Sequence, residues 1–497
     1  MSQLKKGVVL SFLNIFLLNA IGLVITPFII RSLGNSEYGL YTLIGSFVAY
    51  LSLMDLGLNN TIVRFVSRYR ALKDLRAEQK FLGTTMVIYF IISIVLVIIG
   101  LILYFNLDKI FSRSLTFAQI EDARIMFLVL IFNLAITLPG GSFTAICNAY
   151  EHFVFPRSIG IIRYLLRALT VVTILNLGGK AIALVIVDTV FNVIVVIVTI
   201  FYVFSRLKVK FNFSERTINN VRQIFSYSIW IFLLAISTQF IWNAGQFVLG
   251  IETKTEVVAI FAIGIMLGGF YGSFSTAVSS VFLPRANQMS LNNSQEEILE
   301  MMIKIGRLSF MLLMFVFTGF ISLGQEFIFL WIGEDYYQSW IVALLMMALY
   351  TIPLIQNFAN SLVEAYNKVA VKVRIYMICF ISGLVLGYFL IPQFQAVGMM
   401  IGIGCGWFIA QICMNIYYHR YLKLNILLFY KKVFNRTLLP IVILCVSLNF
   451  INHLFHHSWW SLIIKIVIYS IFYWGVLFLY SMNLYEKQLI KAQLWKK

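Results

Sequence analysis

Residues 82–105 read LGTTMVIYFIISIVLVIIGLILYF, 24 consecutive positions without a Lys, Arg, Asp or Glu. A helix of that length rises far enough, at about 1.5 Å per residue, to cross a hydrocarbon core roughly 30 Å thick. The run lacks the two-residue alternation of a membrane barrel strand, and irregular backbone cannot face lipid, so it reads as a transmembrane helix. Working outward, comparable runs lie at 8–31, 38–58, 125–148, 157–176, 181–204, 225–248, 257–282, 305–324, 339–363, 373–392, 396–417, 437–454 and 461–482. That makes 14 spans in 497 residues, and at about 35 residues per span and connector no folded aqueous domain fits between them. The composition agrees, with 61% hydrophobic and 12% charged residues and a mean hydropathy of +0.90. The fold class is an all-α membrane protein of about 14 transmembrane helices.

The formal charge of +18 would suggest nucleic acid on a soluble chain, but its placement between spans makes it an orientation signal. Of 38 Lys and Arg, six (Arg31, Lys109, Arg113, Arg124, Lys180 and Lys254) fall on one side and three (Arg163, Arg167 and Lys465) inside spans; the other 29 fall on the opposite side. The positive-inside rule then makes both termini cytoplasmic. No nucleic-acid partner is expected. Met1 to Lys6 before an apolar run resembles a signal peptide, but the run continues to Ile30 and ends at Arg31 without a small-residue cleavage site, so it is read as a retained helix. Cys147, Cys379, Cys405, Cys413 and Cys445 all sit in apolar runs, which excludes a disulfide framework or a zinc site. His453, His456 and His457 share a short connector without a carboxylate or thiol, and no metal is assigned to them.

Two groups of six spans resemble each other. Asn148-Ala149-Tyr150-Glu151 answers Glu364-Ala365-Tyr366-Asn367, with Pro139 and Pro353 in the spans before them, and Ala181, Tyr202, Leu207 and Lys208 recur as Ala396, Tyr417, Leu422 and Lys423 at a constant offset of 215. An even number of spans per repeat gives two six-helix halves of like orientation, related by a pseudo-two-fold axis along the membrane normal, a symmetry found in transporters. The chain divides accordingly into an N-terminal half, 1–210, a C-terminal half, 211–424, and two additional C-terminal helices with a tail, 425–497.

An ionisable group at the centre of a span costs about 2.5–3.5 kcal/mol and therefore faces protein or a watery cavity. Arg163 and Arg167 lie one turn apart on span 5, where two guanidinium forks suit a phosphate or diphosphate; the alternative for Arg163 is an anchor at the inner interface. Asp55 on span 2 is either a proton or sodium carrier or the structural partner of an arginine such as Arg64 or Arg167. Asp188 on span 6, above Asn192 and Thr199, carries the same two readings, ion coupling or an internal ion pair. Gln239, Asn243 and Gln246 on span 7, and Gln356, Asn360 and Glu364 on span 10, form polar stripes that suit sugar hydroxyls or, alternatively, interhelical hydrogen bonds. Gly264, Gly268 and Gly272, and Gly398, Gly402 and Gly406, give small-residue faces for close packing. Glu121-Asp122 and Glu334-Asp335 read as solvated connectors. No Walker A loop is present, so no cofactor is expected and energy input would come from a proton or sodium gradient or from the substrate's own gradient.

Thr26-Pro27, Arg31-Ser32-Leu33-Gly34, Tyr38-Gly39-Leu40-Tyr41 and Asp55-Leu56-Gly57-Leu58 followed by Arg64 resemble a bacterial polysaccharide flippase of the multidrug/oligosaccharidyl-lipid/polysaccharide exporter superfamily. The resemblance implies a non-enzymatic flippase in the bacterial cytoplasmic membrane. It implies movement of undecaprenyl-diphosphate-linked oligosaccharide from the inner to the outer leaflet by rocking of the two halves, for O-antigen, capsule or related polysaccharide. It further implies cationic residues that hold the diphosphate, carried here onto Arg31, Arg64, Arg163 and Arg167, and polymerase and glycan-assembly proteins as partners. The alternatives are a multidrug or cation exporter of the same fold, which would favour acids over arginines, and a membrane glycan polymerase or glycosyltransferase, which would need a large outer domain.

Overall fold

The computed structural model describes residues 3–213, 232–233, 235–236, 239, 242–292, 294–366, 368–452 and 458–488. All regular elements among them are helical. The first group is α1 (Gln3–Leu51), α2 (Leu58–Ala71), α3 (Leu75–Phe105), α4 (Leu107–Ile110), α5 (Phe117–Ala149), α6 (Val154–Asn176) and α7 (Ala181–Tyr202). Then come α8 (Ala244–Glu252), α9 (Thr255–Asn292), α10 (Gln295–Ile332), α11 (Tyr337–Ile355), α12 (Asn357–Ala365), α13 (Val369–Arg420), α14 (Ile426–Phe434), α15 (Leu438–Asn452) and α16 (Trp459–Val476). Most expected spans lie along described helices, but the second crosses the turn at Ser52–Asp55 and the tenth the break at Gln356 between α11 and α12, and residues 453–454 of the thirteenth lie outside the described residues. Residues 225–231 and several up to 241 of the seventh span lie outside the described residues, as do His453, His456 and His457. Ten helical stretches among the described residues are long and apolar enough to cross a membrane, and two of them, Phe16–Ala71 and Val369–Arg420, carry two expected spans each.

Those double stretches are broken where the backbone leaves helical geometry. In α1 the break is Gly34 (φ 80, ψ 166), a conformation that glycine adopts without the Cβ penalty other residues meet. In α13 it is Gln395 (φ 47, ψ −123), which follows Pro392. Beyond α1, Ser52–Asp55 form a 3-10 turn ended by Leu56 and Gly57, both left-handed, before α2 begins. The Asp-Leu-Gly-Leu motif is thus a corner between two helices. Capping boxes start α5, from Thr116 and Gln119, and α10, from Ser294 and Glu297, each satisfying two otherwise unpaired backbone or side-chain groups.

The chain forms two compact units, Met1–Ala259 and Ile260–Lys497, with the division inside α9. The repeat pattern placed it at 210/211. The end of span 7 goes with the first unit because α8 packs on α1: a Cβ at Gly250 would lie 2.1 Å from Leu43 Cδ1, and the Phe247 ring meets Phe47 edge-on at 4.8 Å. In the first unit α5 packs against α1, α2, α3 and α7, and α6 against α1. In the second, α10 packs against α11, α14, α15 and α16.

Each unit repeats the same local device at the expected offset. Lys208 (φ 52) and Lys423 (φ 53) both turn left-handed after a helix. The next amide returns six residues in each case, Val209 N to Val203 O at 3.5 Å and Leu424 N to Tyr418 O at 3.1 Å. The glycine faces also pack closely. Cβ atoms at Gly264, Gly268 and Gly272 would meet Val342, Met346 and Tyr350 of α11 at 2.4–2.6 Å. Within α13 a Cβ at Gly402 would lie 2.1 Å from Gly387 N, so the two arms touch backbone to backbone.

Candidate functional site

The bend at Gly34 folds the two arms of α1 around a cavity of about 510 Å³ that α5, α6 and α7 complete. Its polar lining comes from Tyr38, Tyr41 and Thr42 on the second arm of α1, Asn133 on α5, Arg163 and Arg167 on α6, and Asp188 and Asn192 on α7. Helical spacing explains the convergence, since residues four apart share a face on α6 and again on α7.

Arg167 grips Asp188 with two parallel bonds, Nε to Oδ1 and Nη2 to Oδ2, the second at 3.0 Å. Tyr41 donates its hydroxyl to the same Oδ2 at 3.1 Å, and Arg167 Nη2 reaches the Tyr41 oxygen at 3.3 Å. The two charged side chains remain 22% and 21% exposed, so the pair borders open space instead of being sealed in protein. One turn away, Asn192 Nδ2 donates to Asn133 Oδ1 at 3.2 Å, tying α7 to α5.

Arg163 is different. It makes no ion pair among the described residues, its Nε is buried without a hydrogen-bond partner, and its guanidinium carbon lies 5.5 Å from the Tyr164 ring centroid. The cavity is therefore lined by one cation that is clamped, one that is not, and a single carboxylate, Asp188. A site of two guanidinium groups and one carboxylate has net positive charge and forked donors, which is the chemistry that binds an anion.

The other candidate residues sit elsewhere. Arg31 and Arg64 are exposed, on α1 and α2, and do not line this cavity. Asp55 accepts from Tyr89 O–H at 2.7 Å and from Asn59 Nδ2 at 2.9 Å, and Tyr89 also reaches Asn59 Oδ1 at 3.1 Å. The expected arginine partner is thus replaced by neutral donors from α2 and α3, which anchor the corner at residues 52–57. Arg167 could not serve, because Asp188 holds it.

The second-half stripes are largely engaged with protein partners. Asn243 Nδ2 donates to Gln239 Oε1, and Gln246 is buried. Gln356, fully buried, donates to Tyr430 O–H at 3.1 Å and accepts from Gln411, while Asn415 donates to the same Tyr430 oxygen at 2.9 Å. Tyr418 O–H donates to Asn360 Oδ1 at 3.0 Å. Gln356 and Asn360 accordingly take the interhelical role, joining the α11–α12 corner to α13 and α14. Glu364 is exposed and lies 3.7 Å from Lys372 Nζ. The five cysteines are free, and no cluster of three metal-ligating side chains occurs among the described residues.

Two charge pairs of the second unit were not recognised from sequence. Lys465 Nζ meets Glu326 Oε2 at 2.7 Å with both side chains essentially inaccessible, at 0% and 1%. Arg307 uses all five donors, two on Glu486 at 2.7 and 3.2 Å and the rest on the carbonyls of Lys432, Asn435 and Ser481. A lysine inside span 14 needs a carboxylate within reach, and Glu326 at the end of span 9 was available; no comparable pattern points to Glu486.

A family model described as polysaccharide biosynthesis protein matches residues 4–290, more than half of the chain and all of the cavity. The chain belongs to that family. Among curated proteins, the uncharacterized membrane protein EpsK of Bacillus subtilis (strain 168) is 22% identical over 319 residues, 63% of this chain and 62% of that one. The match thus spans less than two thirds of that relative. Among solved structures, the lipid II flippase MurJ in an inward closed conformation aligns with a TM-score of 0.73 at 16% identity, over 95% of this chain and 97% of that one. The Vibrio cholerae MATE transporter VcmN, as its D35N mutant, aligns with a TM-score of 0.52 at 15% identity, over 85% and 97%. At these identities the structural likenesses establish the fold. With the ten described helical stretches long and apolar enough to cross a membrane, they describe a multi-pass membrane protein with the fold shared by MurJ and the MATE transporters.

Proposed function

We propose that the chain moves undecaprenyl-diphosphate-linked oligosaccharide repeat units from the inner to the outer leaflet of a bacterial cytoplasmic membrane, by alternating access, with both termini cytoplasmic. The single observation that carries this reading is the cavity in which unclamped Arg163 lies one turn from Arg167. At about 510 Å³ it lies within the 300–1,000 Å³ of small-ligand sites, a size for a charged head group more than for a whole glycan. Arg163 makes the first contact with the diphosphate. Arg167 joins as the phosphate competes with Asp188, and the carboxylate so released is the natural place for a coupling proton or sodium ion. The polyprenyl chain stays in lipid, and no covalent bond changes.

The glycan delivered serves a surface polysaccharide such as O-antigen or capsule, with a polymerase and glycan-assembly proteins acting after it. An exporter of organic cations is less well supported, because the unclamped charge in the cavity is a guanidinium. Proteoliposomes loaded with undecaprenyl-diphosphate oligosaccharide and an impermeant glycan-modifying reagent test the reading. Protein-dependent exposure that Arg163→Gln slows supports it, and exposure at the same rate with and without protein refutes it.

A further inference from the structure

A second cavity, of about 480 Å³, lies wholly within the second unit, where α10 ends at Gly333 and α11 begins. Its wall is aromatic: Phe329 contributes one face, and the Tyr337 and Trp340 rings stand 5.7 Å apart at 45°. Its polar groups are Gln325, Glu326 and Glu334. Glu326 is neutralised by Lys465 at 2.7 Å, so the buried floor is polar without net charge. Gln325 and Glu334, both exposed, engage no partner among the described residues. The indole N–H of Trp340 is already committed to Phe320 O at 3.0 Å, which fixes the ring at the cavity wall.

A preformed aromatic pocket of this size with a few convergent polar groups is the usual form of a small-molecule site. Its chemistry selects the ligand. A pyranose ring has an apolar C–H face that packs on an aromatic ring, and hydroxyls at its edge that need donors and acceptors together. The amide of Gln325 offers both, and Glu334 offers acceptors. The uncompensated negative charge of Glu334 at the rim disfavours acidic sugars.

We propose that this cavity is a saccharide-binding subsite for neutral or amino sugars, in which a ring stacks on Trp340 and hydrogen-bonds to Gln325 and Glu334. The subsite goes beyond the transport reading and does not depend on it, since free sugar binds there whether or not lipid-linked glycan is moved. Glu334-Asp335, which the sequence offers only as a solvated connector, thereby gains a role for its first member.

The test uses purified full-length protein in nanodiscs of phosphatidylethanolamine and phosphatidylglycerol, probed with cellotriose, chitotriose and trigalacturonic acid by saturation-transfer NMR and calorimetry. The expected result is saturable binding of cellotriose or chitotriose and at least about tenfold weaker binding of trigalacturonic acid. Gln325→Ala, which deletes an exposed and unpartnered side chain, weakens sugar binding by roughly five- to tenfold, the scale of one or two lost hydrogen bonds. Trp340→Leu abolishes it. Because Trp340 also bonds Phe320, Gln325→Ala keeps the test sound should the tryptophan variant fail to fold. Absence of saturable binding by all three sugars, or binding that Gln325→Ala does not weaken, overturns the proposal; a site occupied by lipid headgroups would give the former.

Discussion

Asp188→Asn should tighten anion binding while weakening the fold, two effects of opposite sign from one substitution. Arg167 directs both its Nε and one Nη2 hydrogen bond at Asp188, so an arriving diphosphate competes with a carboxylate already seated. The amide keeps the shape of the side chain and withdraws its charge. A hydrogen bond to a charged group is worth about 1.5–3 kcal/mol, so regaining one for the ligand lowers Kd by roughly ten- to a hundredfold at 1.4 kcal/mol per decade. The fold loses an ion pair, and because each partner is about one-fifth exposed the loss is about 1–3 kcal/mol, less than the 3–5 kcal/mol of a fully buried pair. Calorimetry with geranylgeranyl diphosphate gives the first quantity, and the thermal melt of the same preparation gives the second. Diphosphate binding that is equal or weaker in a variant that still melts cooperatively would show that Arg167 is not an anion ligand, and that the pair is structural alone.

Arg163→Gln should weaken diphosphate binding about tenfold or more without lowering the melting temperature, because Arg163 has no ion pair to lose; a lowered melt with unchanged binding contradicts its assignment. Lys465→Met strands the buried Glu326 carboxylate and should cost about 3–5 kcal/mol. Pairing it with Glu326→Gln should recover most of that loss, and equal melting of the single and double variants counts against a buried ion pair. Gly402→Ala pushes a methyl to 2.1 Å from Gly387 N and should cost about 1–3 kcal/mol by overpacking, whereas Gly475→Ala, with open space at its Cβ, should be neutral; similar melts for the two argue against backbone contact between the arms of α13.

The helices were legible in the sequence because a bilayer demands long apolar runs whatever their tertiary partners. The breaks at Gly34 and Gln395 fall in connectors left between expected spans, whereas the corner at Ser52–Gly57 lies inside one apolar run, 38–58, whose hydropathy does not mark the turn. The 215-residue offset pointed to a backbone device, the paired left-handed lysines, although the residues between them share little identity. Partner choice was harder to read. Helical periodicity puts Arg163 and Arg167 on one face, but it does not say which of two acids a given arginine meets; Asp188 took Arg167, and Asp55 was satisfied by Tyr89 and Asn59. Likewise Gln356 and Asn360 share a face with Glu364, yet the neighbouring α13 and α14 decide that the first two turn inward. The Arg307–Glu486 clasp joins residues 179 positions apart, and nothing local to either one announces it.

The most direct test of the account is leaflet accessibility of undecaprenyl-diphosphate oligosaccharide in proteoliposomes of purified protein, with the wild type beside Arg163→Gln and with and without an imposed proton or sodium gradient. The account predicts protein-dependent exposure of an unchanged lipid-linked glycan to the impermeant reagent, slowed about tenfold or more in the variant. Exposure that is independent of the protein, or a glycan lengthened by it, would contradict the account.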